Sequence, residues 1–141
     1  MLSKYKDFLR NNDLGLLVLR LSIGGLMFFH GYHKLVHGLD GISGMIAAMG
    51  LPEFLAYGAL VGELVAPLMI IFGVYTRVGS AVLAFNMLVA ILMAHLGDLG
   101  SVNPMTGGWV VEVPALYLLG ALALVFTGGG RYAVTKGTIL D

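Results

Sequence analysis

The sequence predicts an all-α membrane protein, folded as an antiparallel bundle of four transmembrane helices with both termini in the cytoplasm. The first observation is composition: of the 141 residues, 58% are hydrophobic and 11% are charged, and the mean hydropathy is +0.91. A soluble domain carries about twice that charged fraction, and so much apolar surface would not stay in water. The second observation is that the apolar residues form four runs, each close to the ~20 residues that cross a bilayer as a helix.

The four predicted spans cover residues 14–36, 53–75, 77–97 and 109–127. Clusters of Gly, Asn, Asp and Pro, which mark turns, separate them. "HGLDGISG" and "MGLPEF" lie between the first two spans, "GVYTRVG" makes a tight turn before the third, and "GDLGSVNPMTGG" precedes the fourth. Residues 1–141 are expected to form a single membrane domain. The first span is longer than the apolar region of a cleavable signal, which predicts that it is retained.

The distribution of basic residues predicts the orientation. Short loops make neighbouring helices antiparallel, which places both termini and the turn at Arg77 on one side. That side holds six of the eight basic residues, and the other side holds only Lys34. The six are Lys4, Lys6, Arg10, Arg77, Arg131 and Lys136. Because basic loops tend to stay in the cytoplasm, both termini are predicted to be cytoplasmic.

The end of the first span carries a group of ionisable side chains, in the stretch "FFHGYHKLVHG". At about 100° per residue, His30, His33, Lys34 and His37 fall within an arc of about 100° on a helix. A polar stripe in lipid should face protein or water, while Lys34 and His37 would also suit the headgroups. The histidine spacing allows a weak zinc, copper or non-haem iron site. A haem between His95 and a histidine of the first span is allowed but not favoured.

Acidic residues within the spans are harder to place in lipid than the histidines. Glu63 lies near the middle of the second span, where a lone carboxylate should be paired, protonated or hydrated. Pro67 removes the N–H that would bond the Glu63 carbonyl, which weakens the helix there. Arg20 is one candidate partner for Glu63, and Glu112 is a candidate partner for the histidines or Lys34. A polar pocket is therefore predicted from Arg20, His30, Lys34, Glu63, His95 and Glu112.

Such a pocket suits a quinone. A quinone needs an apolar slot reached from lipid and a histidine or acid that bonds its carbonyl oxygens and exchanges protons. The same residues would suit another lipophilic ring, or a proton relay in a transporter. The absence of cysteine excludes disulfides and thiol chemistry on this chain. The net charge of zero gives no indication of a nucleic-acid partner.

Small and polar residues predict how the spans pack. Gly58, Gly62 and Ala66 repeat every four residues, which allows helices to approach closely in lipid. This pattern is more typical of packing within a chain than between copies. A homo-oligomer is nonetheless expected, because four helices alone would hardly enclose a transport path. Asn86 in the third span is expected to hydrogen-bond to another helix.

Three stretches of the sequence match a known family: "LRLSIGGLMFFHGYHKL" in the first span, "GELVAPLMIIFGVYTRVGS" across the second and third, and "GGWVVEVPALYLLGALALVFTGGGRYAV" at the end. Over residues 14–135 the chain resembles the DoxX family of small bacterial four-helix membrane proteins. The resemblance places the family's recurring polar positions on Arg20, His30, Lys34, Glu63, Arg77, Glu112 and Arg131. His33 and His37 depart from the family pattern.

The resemblance implies a location in the bacterial cytoplasmic (inner) membrane and a link to redox chemistry. Members are associated with a thiosulfate:quinone oxidoreductase, with membrane redox complexes that handle oxidative or thiol stress, and with responses to quinones and catechols. The leading hypothesis is a membrane subunit of quinone-linked chemistry that binds a quinone-like ligand and contacts a soluble redox protein. The alternatives are a small-molecule transporter and a ligand-free scaffold for a redox partner. Whether the chain is catalytic alone stays open.

Overall fold

Residues 8–141, which the computed structural model describes, contain a 3-10 turn at Leu96–Asp98 and five longer helices. They are α1 (Asn12–His37), α2 (Asp40–Ala48), α3 (Glu53–Phe72), α4 (Thr76–Ala94) and α5 (Glu112–Thr127). Helix α3 begins with a 3-10 turn at Glu53–Ala56 and contains a turn of π-helix at Val61–Val65. Across residues 8–141 there is no β-strand, only an isolated bridge between Val102 and Trp109. The all-α prediction is confirmed.

Three of the helices, α1, α3 and α4, are long and apolar enough to cross a membrane, with 26, 20 and 19 residues. Helix α5 is apolar but shorter, with 16 residues. Large side chains such as Phe29, Phe85 and Phe126 are exposed on them, as expected of surfaces that lie against lipid. The chain is therefore a membrane protein. The arrangement of four spans and the sidedness of the termini stay predictions, and Lys4 and Lys6 lie outside the described residues.

The helix ends agree with the predicted spans to within three residues. Helix α3 ends at Phe72 because Gly73 adopts a left-handed conformation, with φ of 71°, which glycine takes without strain. Helix α5 begins at Glu112 and not at residue 109. The reason is that Trp109 belongs to the preceding loop, where its indole N–H donates to the Leu99 carbonyl at 2.9 Å.

Helix α2 lies where the glycines of the sequence predict a loop, so that prediction is wrong. Gly41 and Gly44 lower the helix propensity, but Ile42, Met45 and Ile46 recur with helical spacing. The helix packs against the first turn of α3, and Ile46 is buried. Tertiary packing therefore outweighs the local preference for a turn.

The long helices pack around one apolar core. Helix α1 contacts α3 and α5, α3 contacts α4, and α4 contacts α5. Arg20, early in α1, bonds Ile70 near the end of α3, whereas Lys34, late in α1, bonds Glu63 in the middle of α3. Helices α1 and α3 therefore run in opposite directions. The core residues are Met27, Ala66, Ile70, Leu83, Ala84, Met87, Ala121 and Leu124.

The small residues of α3 pack largely within the chain. Gly62 faces the side chain of Asn86, which a methyl group at position 62 would overlap. Ala66 is fully buried in the core. Gly58, in contrast, has no atom within 4 Å of the place where a methyl group would stand. Self-association through this helix stays a prediction.

Gly31 of α1 lies directly against the backbone of α3. A methyl group at this position would overlap the carbonyl carbon and oxygen of Glu63. We expect Gly31→Ala to lower the free energy of unfolding by about 1–3 kcal/mol, as overpacking does in a well-packed core. Titration with SDS in mixed micelles measures this quantity. Gly25→Ala on the same helix, where the methyl group meets no atom within 4 Å, is the matched control, and an equal loss in both variants would contradict the prediction.

Candidate functional site

A partly buried ion pair joins α1 to the middle of α3. The Nζ atom of Lys34 lies 2.5 Å from Oε2 and 2.6 Å from Oε1 of Glu63. Asn86 of α4 donates its side-chain N–H to the same carboxylate, with 3.3 Å between Nδ2 and Oε1. Glu63 is 4% exposed, whereas the Lys34 side chain is 28% exposed. Three helices thus meet at a carboxylate that an apolar bundle could hold only when it is paired.

Pro67 explains the local geometry of the helix at Glu63. Because proline has no N–H, the Glu63 carbonyl lacks its usual donor four residues later. The helix widens into the π-turn Val61–Val65, in which the Ala66 N–H bonds the Val61 carbonyl. Turns of this kind are frequent at functional sites. The weakening of the helix predicted from Pro67 therefore takes the form of a π-turn.

Arg20 does not contact Glu63, so the predicted pairing between them is wrong. The buried guanidinium donates to three backbone carbonyls: Nε to Ile70 at 2.9 Å, Nη2 to Ile71 at 2.7 Å and Nη1 to Gly129 at 3.1 Å. Ile70 and Ile71 belong to the last turn of α3, which leaves carbonyls without helical partners and attracts a cation. Arg20 therefore acts as a cap on α3 and not as part of the pocket around Glu63.

An apolar groove with a volume of about 620 Å³ runs along the surface between α1 and α5. Its walls are mostly aliphatic and include Leu26 and Leu116, and its polar members are Ser22 and Tyr117. The Ser22 hydroxyl is already bonded to the Val18 carbonyl of its own helix at 2.8 Å. Tyr117 is therefore the side chain that can offer a hydrogen bond to a molecule in the groove.

Tyr117 lies beside His30, which follows the groove residue Leu26 by one turn on α1. The two rings meet edge to face, with their centres 6.0 Å apart and their planes at 79°. The side-chain hydrogen bonds of residues 8–141 include none to the Tyr117 hydroxyl or the His30 imidazole. His30 is exposed and Tyr117 is half-buried, so both polar groups are accessible to a further molecule. The pair is therefore suited to bond a ligand that occupies the groove.

The remaining histidines of α1 lie against each other. The rings of His33 and His37 are stacked, with centres 4.2 Å apart and planes at 16°. Stacked rings direct their nitrogen atoms along parallel planes and not toward one point. Within the described residues 8–141, no group of three or more His, Cys, Asp or Glu side chains could hold a metal ion. The alternative of a metal bound by His30, His33 and His37 gains no support from this geometry.

His95 and Glu112, two further residues of the predicted pocket, lie apart from the ion pair. His95 follows the last residue of α4, and its Nδ1 is 3.7 Å from Oδ2 of Asp98. Glu112 is exposed in the first turn of α5, with its carboxylate close to Gly108. Lys34 pairs with Glu63, so the candidate pairing of Lys34 with Glu112 is wrong. The ion pairs of residues 8–141 include none between Glu112 and a histidine. A haem bound through His95 gains no support either.

Two residues that contact predicted site residues are absent from the set predicted from the sequence: Asn86, which bonds Glu63, and Tyr117, which lies beside His30. Asn86 does bond another helix, as predicted, but its partner Glu63 was not identified. Tyr117 is the one tyrosine of the apolar fourth span. A single phenol hydroxyl in such a span is the signal that could have identified it. Its neighbour His30 belongs to a different helix, and only the packing of α1 on α5 reveals the pair.

Comparison with known proteins identifies a family and two relatives. The model of the DoxX family matches residues 15–96. A protein of Bacillus subtilis (strain 168), named "Putative oxidoreductase CatD", is 31% identical over 116 residues, which cover 82% of this chain and 81% of that protein. An uncharacterized protein of Haemophilus influenzae is 28% identical over 134 residues, which cover 94% of this chain and 92% of that protein. No solved structure gives a significant match.

Proposed function

The chain belongs to the DoxX family, and from this premise we propose that it is a membrane module of quinone-linked redox chemistry. A quinone-like ring binds in the groove between α1 and α5. Tyr117 and His30 bond its oxygen atoms, and the apolar walls hold its carbon skeleton. The protein resides in the bacterial cytoplasmic membrane as a homo-oligomer, and a redox protein exchanges electrons with the bound ring.

The observation that carries this proposal is the pair of unbonded polar groups beside an apolar groove. A lipid acyl chain would fill the groove and leave the Tyr117 hydroxyl and the His30 imidazole without partners. A quinone satisfies both requirements, because its ring is apolar and its carbonyl oxygens accept hydrogen bonds. The groove opens on the surface of helices that lie in lipid, so a lipid-soluble molecule can enter it sideways. The name of the B. subtilis relative, an oxidoreductase, agrees with this class of ligand.

The proposed site keeps three of the six residues predicted from the sequence. His30 bonds the ring, and Lys34 and Glu63 form the charged group next to it. Arg20 caps α3, while His95 and Glu112 are directed elsewhere, so these three are left out. Tyr117 joins the site, since it lines the groove and touches His30.

Binding of ubiquinone with one isoprene unit tests the proposal. The purified protein in detergent should bind this quinone, and Tyr117→Phe should weaken the affinity about fivefold, because a hydrogen bond contributes about 1 kcal/mol. Ser22→Leu, which fills the groove, should weaken it by more. Tyr132→Phe is the matched control, because Tyr132 is an exposed tyrosine of the C-terminal segment outside the groove. Isothermal titration calorimetry measures the affinities.

Two results would count against a quinone site in this groove. One is the absence of binding by the unmodified protein, and the other is equal affinity in Tyr117→Phe, Ser22→Leu and Tyr132→Phe. In the first case, counterflow of a lipophilic solute in proteoliposomes would favour the transporter. Loss of assembly with a redox protein in the Glu63→Gln variant, without any ligand effect, would favour the scaffold.

A further inference from the structure

We propose that His30, Lys34 and Glu63 form a proton exit route that leads from the groove to the end of the bundle marked by His37 and Ala94. This end is called the histidine end below. The inference rests on the proposed function, because the protons are those of a hydroquinone bound beside Tyr117. It goes beyond ligand binding, since it assigns the partly buried ion pair a task in the chemistry.

The first step of the route lies on α1. His30 touches Tyr117 at the groove, and its imidazole nitrogen accepts a proton from a ring hydroxyl as that O–H bond breaks. Lys34 follows four residues later on the same helix face, where Cβ atoms are about 5–6 Å apart. The long side chain of Lys34 spans the distance between this face and α3, because it reaches the Glu63 carboxylate there.

The second step uses the ion pair as a proton acceptor. Lys34 transfers an ammonium proton to a Glu63 oxygen and receives the proton of His30 in return. The pair changes from ammonium and carboxylate to ammonium and carboxylic acid, so it has gained one proton. Lys34 is the titratable group that faces Glu63 from α1, and α4 presents Asn86, which does not titrate. The Asn86 amide can donate to the carboxylate or accept from the acid.

The last step returns the proton to water at the histidine end. Glu63 itself is buried, whereas 28% of the Lys34 side chain is exposed. Lys34 therefore gives one ammonium proton to water and takes the proton of the Glu63 carboxylic acid in exchange, which restores the ammonium and the carboxylate. Oxidation removes two electrons and two protons, and the hydroquinone becomes a quinone. The proton of the hydroxyl group that Tyr117 bonds passes to the phenol oxygen as Tyr117 gives its own proton to His30, and both protons then follow the route in turn. The electrons go to a one-electron acceptor, for which ferricyanide serves as the probe.

Rapid-scan infrared spectroscopy tests the route on protein loaded with one-isoprene ubiquinol and mixed with ferricyanide. We expect the C=O stretching band of a protonated carboxyl group to rise and decay during oxidation, and to disappear in Glu63→Gln. Glu63→Asp should restore a shifted band. Glu112→Gln is the matched control, because it removes an exposed carboxyl group outside the route, and it should leave the band unchanged.

A pH-indicator dye in weakly buffered solution gives a second readout. Proton release should slow at least about tenfold in Glu63→Gln, since positioned proton-transfer groups contribute about 10²–10⁴-fold. The route is overturned if the unmodified protein shows no carboxyl band, or if Glu63→Gln keeps both the band and the rate of release. Calorimetry on the same samples separates this outcome from failure of the proposed function, because quinol binding would then persist.

Discussion

Replacement of Arg20 by methionine is expected to lower the free energy of unfolding by about 3 kcal/mol or more. The change removes three charge-assisted hydrogen bonds, each of which contributes about 1.5–3 kcal/mol, and methionine offsets part of the loss by keeping apolar bulk. Arg20 bonds the last turn of α3 and the loop at Gly129 together, so its loss frees two separate segments from α1. SDS titration in mixed micelles measures the change.

Two further variants show whether the geometry of Arg20 or its charge is responsible for the stabilisation. Arg20→Lys keeps the charge but lacks the planar fork that serves three acceptors, so it should recover only part of the stability. Arg10→Met removes an exposed arginine that makes no side-chain hydrogen bond or ion pair among residues 8–141. It should change the free energy of unfolding by no more than about 0.5 kcal/mol. Equal effects of Arg20→Met and Arg10→Met would show that the three bonds contribute nothing.

The long helices were predictable because each depends on a local property of the chain. A run of about 20 apolar residues has few stable forms in lipid other than a helix, and the turns between the runs carry glycine and proline. Helix α2 was not predictable in this way, because Gly41 and Gly44 argue locally for a loop. Its stability comes from packing against the start of α3. This is a tertiary contact, which the residues of α2 alone do not indicate.

The polar residues of the site were identifiable from the sequence, but their partners depended on the register between helices. Side chains on a helix lean toward its N-terminus. In antiparallel α1 and α3, Lys34 and Glu63 therefore lean toward each other, whereas Arg20 leans away from Glu63. The same rule explains both the ion pair and the wrong prediction for Arg20. The level at which Gly31 meets Glu63 sets this register, and no local pattern reveals it.

Replacement of Lys34 by methionine is expected to be among the most destabilising single changes in the protein. It leaves the Glu63 carboxylate buried with Asn86 as its remaining partner. Breaking a buried ion pair costs about 3–5 kcal/mol, and we expect the low end of this range because the Lys34 side chain is partly exposed. The loss of stability is measured as the change in the free energy of unfolding in mixed micelles at neutral pH.

The double variant Lys34→Met with Glu63→Leu separates the energy of pairing from the energy of burial. Removal of both charges also removes the desolvation penalty, so apolar replacements of similar volume are often neutral or stabilising. The double variant should therefore be more stable than Lys34→Met alone, which gives a coupling energy between the two sites. If the loss of stability in the double variant equals the sum of the losses in Lys34→Met and Glu63→Leu, the ion pair does not act as a unit. If the double variant is stable but no longer releases protons at the normal rate, the pair is retained for chemistry and not for the fold.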